Sequence, residues 1–260
     1  MITGGTQGVG AAIALSLAKA GANLILHGLR EDATSRETIA LCEAENTHVI
    51  AVYSDLAGPI AKVVEELVSK SIATNPTVDL LVNNAGVYID QPFLSMSEEL
   101  FDRTFHINVK VGYFLTQAFA RYWTKNQIPG RVLFTGSING QLAEPDHSSY
   151  DASKAAVAGM VRSLCVALAP SGIRVNSMAP GLVRTPLTDA ILSSDSAALS
   201  WMKLHTPNGL VPTASVCGPT AAFLLSDAAS HIHGQTIYVD GGMSVWQQPN
   251  LPESLRGSLG

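Results

Sequence analysis

The chain has 260 residues, 47% of them hydrophobic and 14% charged, with a formal net charge of −5. That length suffices for one large α/β domain, and the lack of any basic run argues against nucleic acid as a partner, because phosphate neutralisation needs clustered Lys and Arg. No purely apolar stretch nears the ~20 residues that span a bilayer and no secretion signal is visible, so a cytoplasmic protein without membrane contact is expected.

Taken in chain order, apolar runs of strand length alternate with helical patterns. The candidate strands are 23–27, 48–52, 78–82, 132–135, 174–178 and 237–239. The candidate helices are 9–20, 35–45, 60–73, 97–125, 148–169 and 214–225. Only Met1 and Ile2 precede the first glycine-rich turn, so either a first strand there is stunted or the sequence begins downstream of its true start. The alternation implies βαβ units and a parallel sheet. The strands read as continuous Val/Ile/Leu runs, which fits burial on both faces. The predicted fold class is therefore α/β, a single Rossmann-like doubly wound domain over residues 1–246, with 247–260 as a tail. The long aperiodic stretch 182–208 reads as a lid or binding loop. Gly218-Pro219 requires the last helix to start late or kink, since proline removes an intrahelical bond. The charged share lies well below the ~25% of typical domains, which points to surface covered by neighbouring subunits. Cys42, Cys165 and Cys217 match no metal template and read as buried or incidental thiols; no metal is expected.

Three groups of residues carry chemistry. Thr3–Gly10 (TGGTQGVG) joins the first strand to the first helix, with Gly4, Gly8 and Gly10 spaced G-x-x-x-G-x-G. Glycines at such a turn let a pyrophosphate approach the backbone, and the helix N-terminus favours the anion; taken alone, the pattern is equally that of a plain turn. Tyr150 and Lys154 are four residues apart, hence on one helix face. A neighbouring ammonium would lower the phenol pKa from its usual ~10 and suit it to acid/base work, although such a pair also occurs on ordinary helix surfaces. Ser137 follows strand 132–135, at the carboxyl edge where parallel sheets place their sites.

Together with Asp55-Leu56, Asn83-Asn84-Ala85-Gly86, Asn108, Pro180-Gly181 and Tyr238-Val239-Asp240-Gly241-Gly242, these residues resemble the classical short-chain dehydrogenases/reductases from Thr3 to about Ser244. The resemblance implies a seven-stranded parallel sheet with helices on both faces and a homotetramer or homodimer. It implies that Gly4, Thr6, Gln7, Gly8, Val9 and Gly10 line the pyrophosphate and that Asp55 and Leu56 hold the adenine. Asn84, Ala85 and Gly86 would lie by the adenine ribose, Lys154 on the nicotinamide ribose, and Pro180, Gly181, Val183 and Thr185 beside the nicotinamide. Asn108 would fix a water in a proton relay to Lys154. Ser137 would polarise the substrate carbonyl and Tyr150 would transfer the proton.

The loop Gly28-Leu29-Arg30 should select the cofactor, NAD or NADP. The acid of NAD-preferring members is replaced by Gly28, and the basic residues of NADP-preferring members by Leu29 and Gln7. Arg30 could reach a 2′-phosphate or lie free on the loop. The glycine-plus-apolar pair resembles NAD-dependent hydroxybutyrate dehydrogenases, so the balance leans to NAD. The substrate pocket is expected to include Ser137, Asn139, His147, Tyr150 and Leu187. Gln141, Glu144, Asp146 and His147 suit either hydroxyl binding or a solvated loop. No Lys or Arg occurs from 138 to 153, which leaves Arg184 as the nearest carboxylate clamp.

The predicted function is hydride transfer between a nicotinamide cofactor and the CH–OH or carbonyl group of a small molecule. A 3-oxoacyl-[acyl-carrier-protein] reductase is the enzymatic alternative. Positions 128 and 171, where the resemblance places carrier-docking bases, are Ile and Ser. A non-catalytic cofactor-sensing regulator would be expected to lack Tyr150 or Lys154.

Overall fold

The computed structural model describes residues 1–185, 188 and 196–247. Among the described residues six parallel strands form the sheet: β1 (Leu24–Gly28), β2 (Val49–Tyr53), β3 (Leu80–Asn83), β4 (Arg131–Thr135), β5 (Arg174–Pro180) and β6 (Thr236–Val239). β1 pairs with β2, and β3–β4–β5–β6 pair in that order. Ile2 joins the two groups through single parallel bridges to Leu26 and Val82. The expected seventh strand is thus one bridging residue among the described residues, because the glycine turn begins at Thr3 and leaves too little chain for a ladder. Its backbone still closes the gap, with Ile2 N–H donating to Ile25 at 2.9 Å and Thr3 N–H to Val82 at 2.9 Å.

Among the described residues eight α-helices lie between or beside the strands: α1 (Gly8–Lys19), α2 (Ala33–Glu43), α3 (Ile60–Thr74), α4 (Glu98–Phe105), α5 (Gly112–Asn126), α6 (Ser148–Leu168), α7 (Ser196–Leu204) and α8 (Cys217–Leu225). Alternate strand residues feed two cores, as the pleat requires. Leu24, Leu26, Leu133 and Met178 pack with Ile13 and Leu17 of α1 and Leu224 of α8 on one face. Ile25, Val132, Phe134 and Val175 pack with Leu67 of α3, Phe119 and Trp123 of α5 and Val161 of α6 on the other. Local signals set the ends. Asp32 and Ser35 form a reciprocal capping box on α2, and Gly172 takes φ +72° after α6.

Two helix expectations change. The helix predicted over 97–125 is interrupted by a π turn, His106–Val111, between α4 and α5. Asn108 sits in that turn and is buried, and π turns are common at functional sites. The last helix starts late and does not kink: Pro219 becomes the third residue of α8, where a backbone N–H has no intrahelical acceptor. Gly218 lets α8 lie directly on α1, since a Cβ there would sit 2.6 Å from the Ala12 carbonyl. One helix, Ser148–Ser171, is long and apolar enough by length and composition to cross a membrane. Its Ser153, Lys154, Val157 and Val161 instead face the protein interior.

Candidate active site

The motifs converge at the carboxyl edge of the sheet. The glycine turn is shaped for close approach of another group. Gly4 and Gly8 adopt φ +59° and +56°, and a Cβ on Gly10 would lie 2.0 Å from the Gly4 carbonyl. Gln7 caps α1 without a side-chain hydrogen bond, so the first-turn N–H groups are not closed off by a capping side chain. That arrangement fits a pyrophosphate. Asn84 fastens the turn to the sheet: its Nδ2 donates to the Thr3 and Gly4 carbonyls at 3.1 and 3.0 Å, and its Oδ1 accepts from Thr135 at 3.1 Å. Thr3 Oγ1 in turn accepts from the Asn84 and Ala85 N–H groups.

The other expected cofactor residues surround this turn. Thr6 is buried, and its carbonyl accepts from Thr38 Oγ1 at 2.9 Å. Val9 packs against the α1 core. Asp55 is exposed and holds its own loop by accepting from the Ala57 N–H at 2.9 Å. The Leu56 side chain lies in the main core, below the Asp55 loop. Pro180 ends β5 and Gly181 follows it, and a Cβ on Gly181 would lie 2.7 Å from the Asp240 Cα. Val183 is buried, and the Thr185 hydroxyl pairs with Thr188 at 3.3 Å. Leu29 and Arg30 are exposed. Leu187 lies outside the described residues.

Tyr150 and Lys154 share one face of α6. Lys154 Nζ donates to the Thr135 carbonyl at 3.0 Å and lies 5.6 Å from the Tyr150 ring centroid. Burial lowers the Lys154 ammonium to about 8. Burial also raises the Tyr150 phenol above its usual value; a hydrogen bond with Ser137 acts in the opposite direction, while Asp151 and Glu144 add to the rise. The expected lowering of Tyr150 by Lys154 is therefore reversed in the protein alone: desolvation of the phenol dominates, and the ammonium is itself desolvated and held on a carbonyl. Asn108 is hydrogen-bonded through both of its amide atoms. Its Oδ1 accepts from Val87 N–H at 2.8 Å, and its Nδ2 donates to the Val87 carbonyl and Ser153 Oγ, both at 3.0 Å. The side chain braces the loop after β3 against α6. Gly86 lies between the Asn108 and Lys154 side chains, where its Cβ would meet Asn108 Oδ1 at 3.1 Å and Lys154 Nζ at 3.7 Å.

Around Tyr150 lies a polar cluster that was only partly foreseen. Ser137 Oγ accepts from Asn139 N–H at 3.1 Å. Asn139 Nδ2 donates to Glu144 Oε1 at 3.1 Å and Asp151 Oδ1 at 2.8 Å. His147 is buried and hydrogen-bonds the Tyr88 hydroxyl. The Tyr88 ring packs edge-on against Tyr150 with centroids 5.0 Å apart. Gln141 and Asp146 remain exposed loop residues, so the polar stretch before Tyr150 divides into both expected roles. Tyr88 and Asp90 were missed; the available signal was their place just beyond β3, at the carboxyl edge.

A family model described as enoyl-(acyl carrier protein) reductase matches residues 4–244. The chain belongs to the classical short-chain dehydrogenase/reductase family. This short-chain dehydrogenase/reductase is 32% identical to the L-rhamnose 1-dehydrogenase (NADP(+)) of Thermoplasma acidophilum, over 94% of this chain and 95% of that one. It is 33% identical to the glucose 1-dehydrogenase of Gluconobacter oxydans, over 95% of this chain and 91% of that one. A crystal structure of a 3-oxoacyl (acyl-carrier-protein) reductase from Agrobacterium tumefaciens C58 with NADP bound superposes with a TM-score of 0.86 at 27% identity, covering 92% of each chain. The short-chain dehydrogenase/reductase is an NAD(P)-dependent oxidoreductase acting on the CH–OH or carbonyl group of a small molecule.

Proposed function

We propose that Tyr150 is the general acid/base of this reaction, that Ser137 orients the reacting oxygen, and that the substrate is a free small molecule, not a carrier-bound thioester. The supporting observation is the convergence of Ser137, Tyr150 and Lys154 at the sheet edge, with Lys154 anchored on Thr135. When bound, the nicotinamide cofactor supplies or accepts the hydride. Gly4, Gly8 and Gly10 would hold its pyrophosphate, and Lys154 its nearer ribose. As charge develops on the substrate oxygen, the Tyr150 and Ser137 hydroxyls donate to it, and Tyr150 passes its proton in the reductive direction. Residues 1–246 act as one catalytic domain in this reading; much of the expected lid 182–208 (186, 187 and 189–195) lies outside the described residues.

The cofactor reading departs from the lean to NAD. NADP is favoured, because Gly28 leaves no carboxylate to repel a 2′-phosphate, Arg30 is close in sequence, and relatives carry NADP in their names or structures. The free-substrate reading is favoured by the rhamnose and glucose dehydrogenase relatives and by the apolar and neutral Ile128 and Ser171. Fluorescence titration with NADH and NADPH, followed by a panel of free sugars, ketones and 3-oxoacyl thioesters, tests both. Tighter NADPH binding with turnover of free substrates supports the reading; exclusive turnover of thioesters overturns it. Tyr150→Phe should lower kcat by about 10²–10⁴-fold with cofactor affinity retained, and unchanged turnover would remove Tyr150 from its role.

A further inference from the structure

The cluster beside Tyr150 has a definite chemical character. Two carboxylates, Glu144 and Asp90, face one buried imidazole. Glu144 Oε1 lies 3.4 Å from His147 Nδ1, and Asp90 Oδ1 lies 3.8 Å from His147 Nε2. Their side chains are 42% and 62% exposed while that of His147 is 8% exposed, so the imidazole forms the floor and the carboxylates the open rim. The rim connects to the reacting centre on both sides. One path runs from Glu144 through Asn139 to Ser137, and the other from His147 through Tyr88 to the face of Tyr150. Asp151 completes the acidic set, accepting from Asn139 and from the Glu144 N–H at 3.0 Å. Lys154, the cation beside these groups, is engaged by the Thr135 carbonyl.

Carboxylates accept hydrogen bonds and offer none. A rim of them pairs well with a ligand rich in hydroxyl donors and repels one carrying its own carboxylate. We propose that Glu144 and Asp90, positioned by Asn139, His147 and Tyr88, form the specificity site of the enzyme, and that it selects an uncharged polyhydroxylated substrate, an aldose or polyol, over the corresponding aldonate. This deepens the dehydrogenase reading and rests on it. Loss of one charge-assisted bond is expected to cost about tenfold in kcat/KM.

The test compares kcat/KM for an aldose and for the aldonate of the same carbon skeleton and length, in the wild type and in Glu144→Gln and Asp90→Asn. Both variants keep side-chain shape and one acceptor oxygen but replace the other with an amide donor, and a thermal melt confirms folding. The wild type should favour the aldose by at least about tenfold, and each variant should shrink that ratio several-fold by losing aldose turnover and gaining aldonate turnover. A purely structural role for Glu144 or Asp90 would lower both substrates alike and leave the ratio fixed, which would overturn the proposal. Aldonate preference in the wild type would also overturn it and would point to Arg184 as a carboxylate clamp. Calorimetric titration of the NADPH-loaded protein with each sugar is the second readout. If no alcohol or ketone is turned over, the dehydrogenase reading fails, yet binding of the aldose without the aldonate still supports the rim and equal binding still overturns it.

Discussion

Lys154 places an ammonium where water is excluded, and the consequence can be followed with pH. Its folded pKa of about 8 lies below the unfolded value of 10.5. Below about pH 8 both states hold the proton and the burial cost is fully present. Between about 8 and 10.5 only the unfolded chain remains protonated, so the lysine's contribution to stability rises with pH. In cofactor-free protein the unfolding free energy of the wild type relative to Lys154→Met should climb by about 3 kcal/mol across that window, as read by denaturant titration at several pH values. Cys42 and Cys217, both pushed up to about 11 by burial, and the raised Tyr150 act in the opposite sense. They are common to both proteins and cancel in the difference. A flat difference would mean that Lys154 is solvated. The sequence disclosed the Tyr150–Lys154 pair through its spacing of four. It could not disclose the sign of the Tyr150 shift, because that depends on how much of the surrounding chain covers the phenol and on the Thr135 carbonyl that takes up the ammonium.

At the scale of elements, Asn84 makes the glycine turn and the ends of β3 and β4 one unit. Asn84→Ala would remove its bonds to Thr3, Gly4 and Thr135 together. The expected result is a stability loss of about 1–3 kcal/mol and NADPH binding weakened by about tenfold or more, measured by melting and by fluorescence titration. Full affinity in the variant would show that the turn holds its shape unaided. Periodicity located β1 to β6 and most helices to within a residue or two, because β1, β3, β4 and β5 are largely buried apolar runs and most helices carry apolar residues on the face that packs on them. It could not separate α4 from α5, since a π turn preserves apolar character and the cause, the bracing of Val87 and Ser153 by Asn108, is tertiary. For Tyr88 and Asp90 the sequence offered only their place just beyond β3; their meeting with His147 is made by the fold.

For the whole molecule, the low share of charged residues finds a counterpart on the helices. Val166 of α6 is 77% exposed and Tyr113 of α5 is 40% exposed. Leu164, Ala167 and Leu168 continue that surface and line a groove with Tyr113, Thr116 and Ala120. We propose that this face joins two copies of the chain, in keeping with the expected homodimer or homotetramer; burial of apolar area is the driving force. Light scattering at micromolar concentration should give a dimer or larger for the wild type and a smaller species for Val166→Glu. A monomeric wild type would exclude the arrangement. Composition and the family resemblance suggested assembly without a surface for it, because which helix faces remain uncovered is decided by the fold.

The space at Gly28 constrains how this enzyme can change over evolutionary time. A Cβ there would meet Thr6 Oγ1 at 2.7 Å and Tyr53 Cε1 at 3.3 Å, and Thr6 is itself buried. An acidic side chain at position 28, the usual mark of NAD selection, therefore collides with the turn unless residue 6 has already become smaller. Thr6 and Gly28 are therefore expected to be coupled: a side chain at position 28 needs Thr6 to shift or shrink, so the order of substitution matters. Cofactor preference here is in that sense historically contingent, tied to a threonine that is buried in the turn.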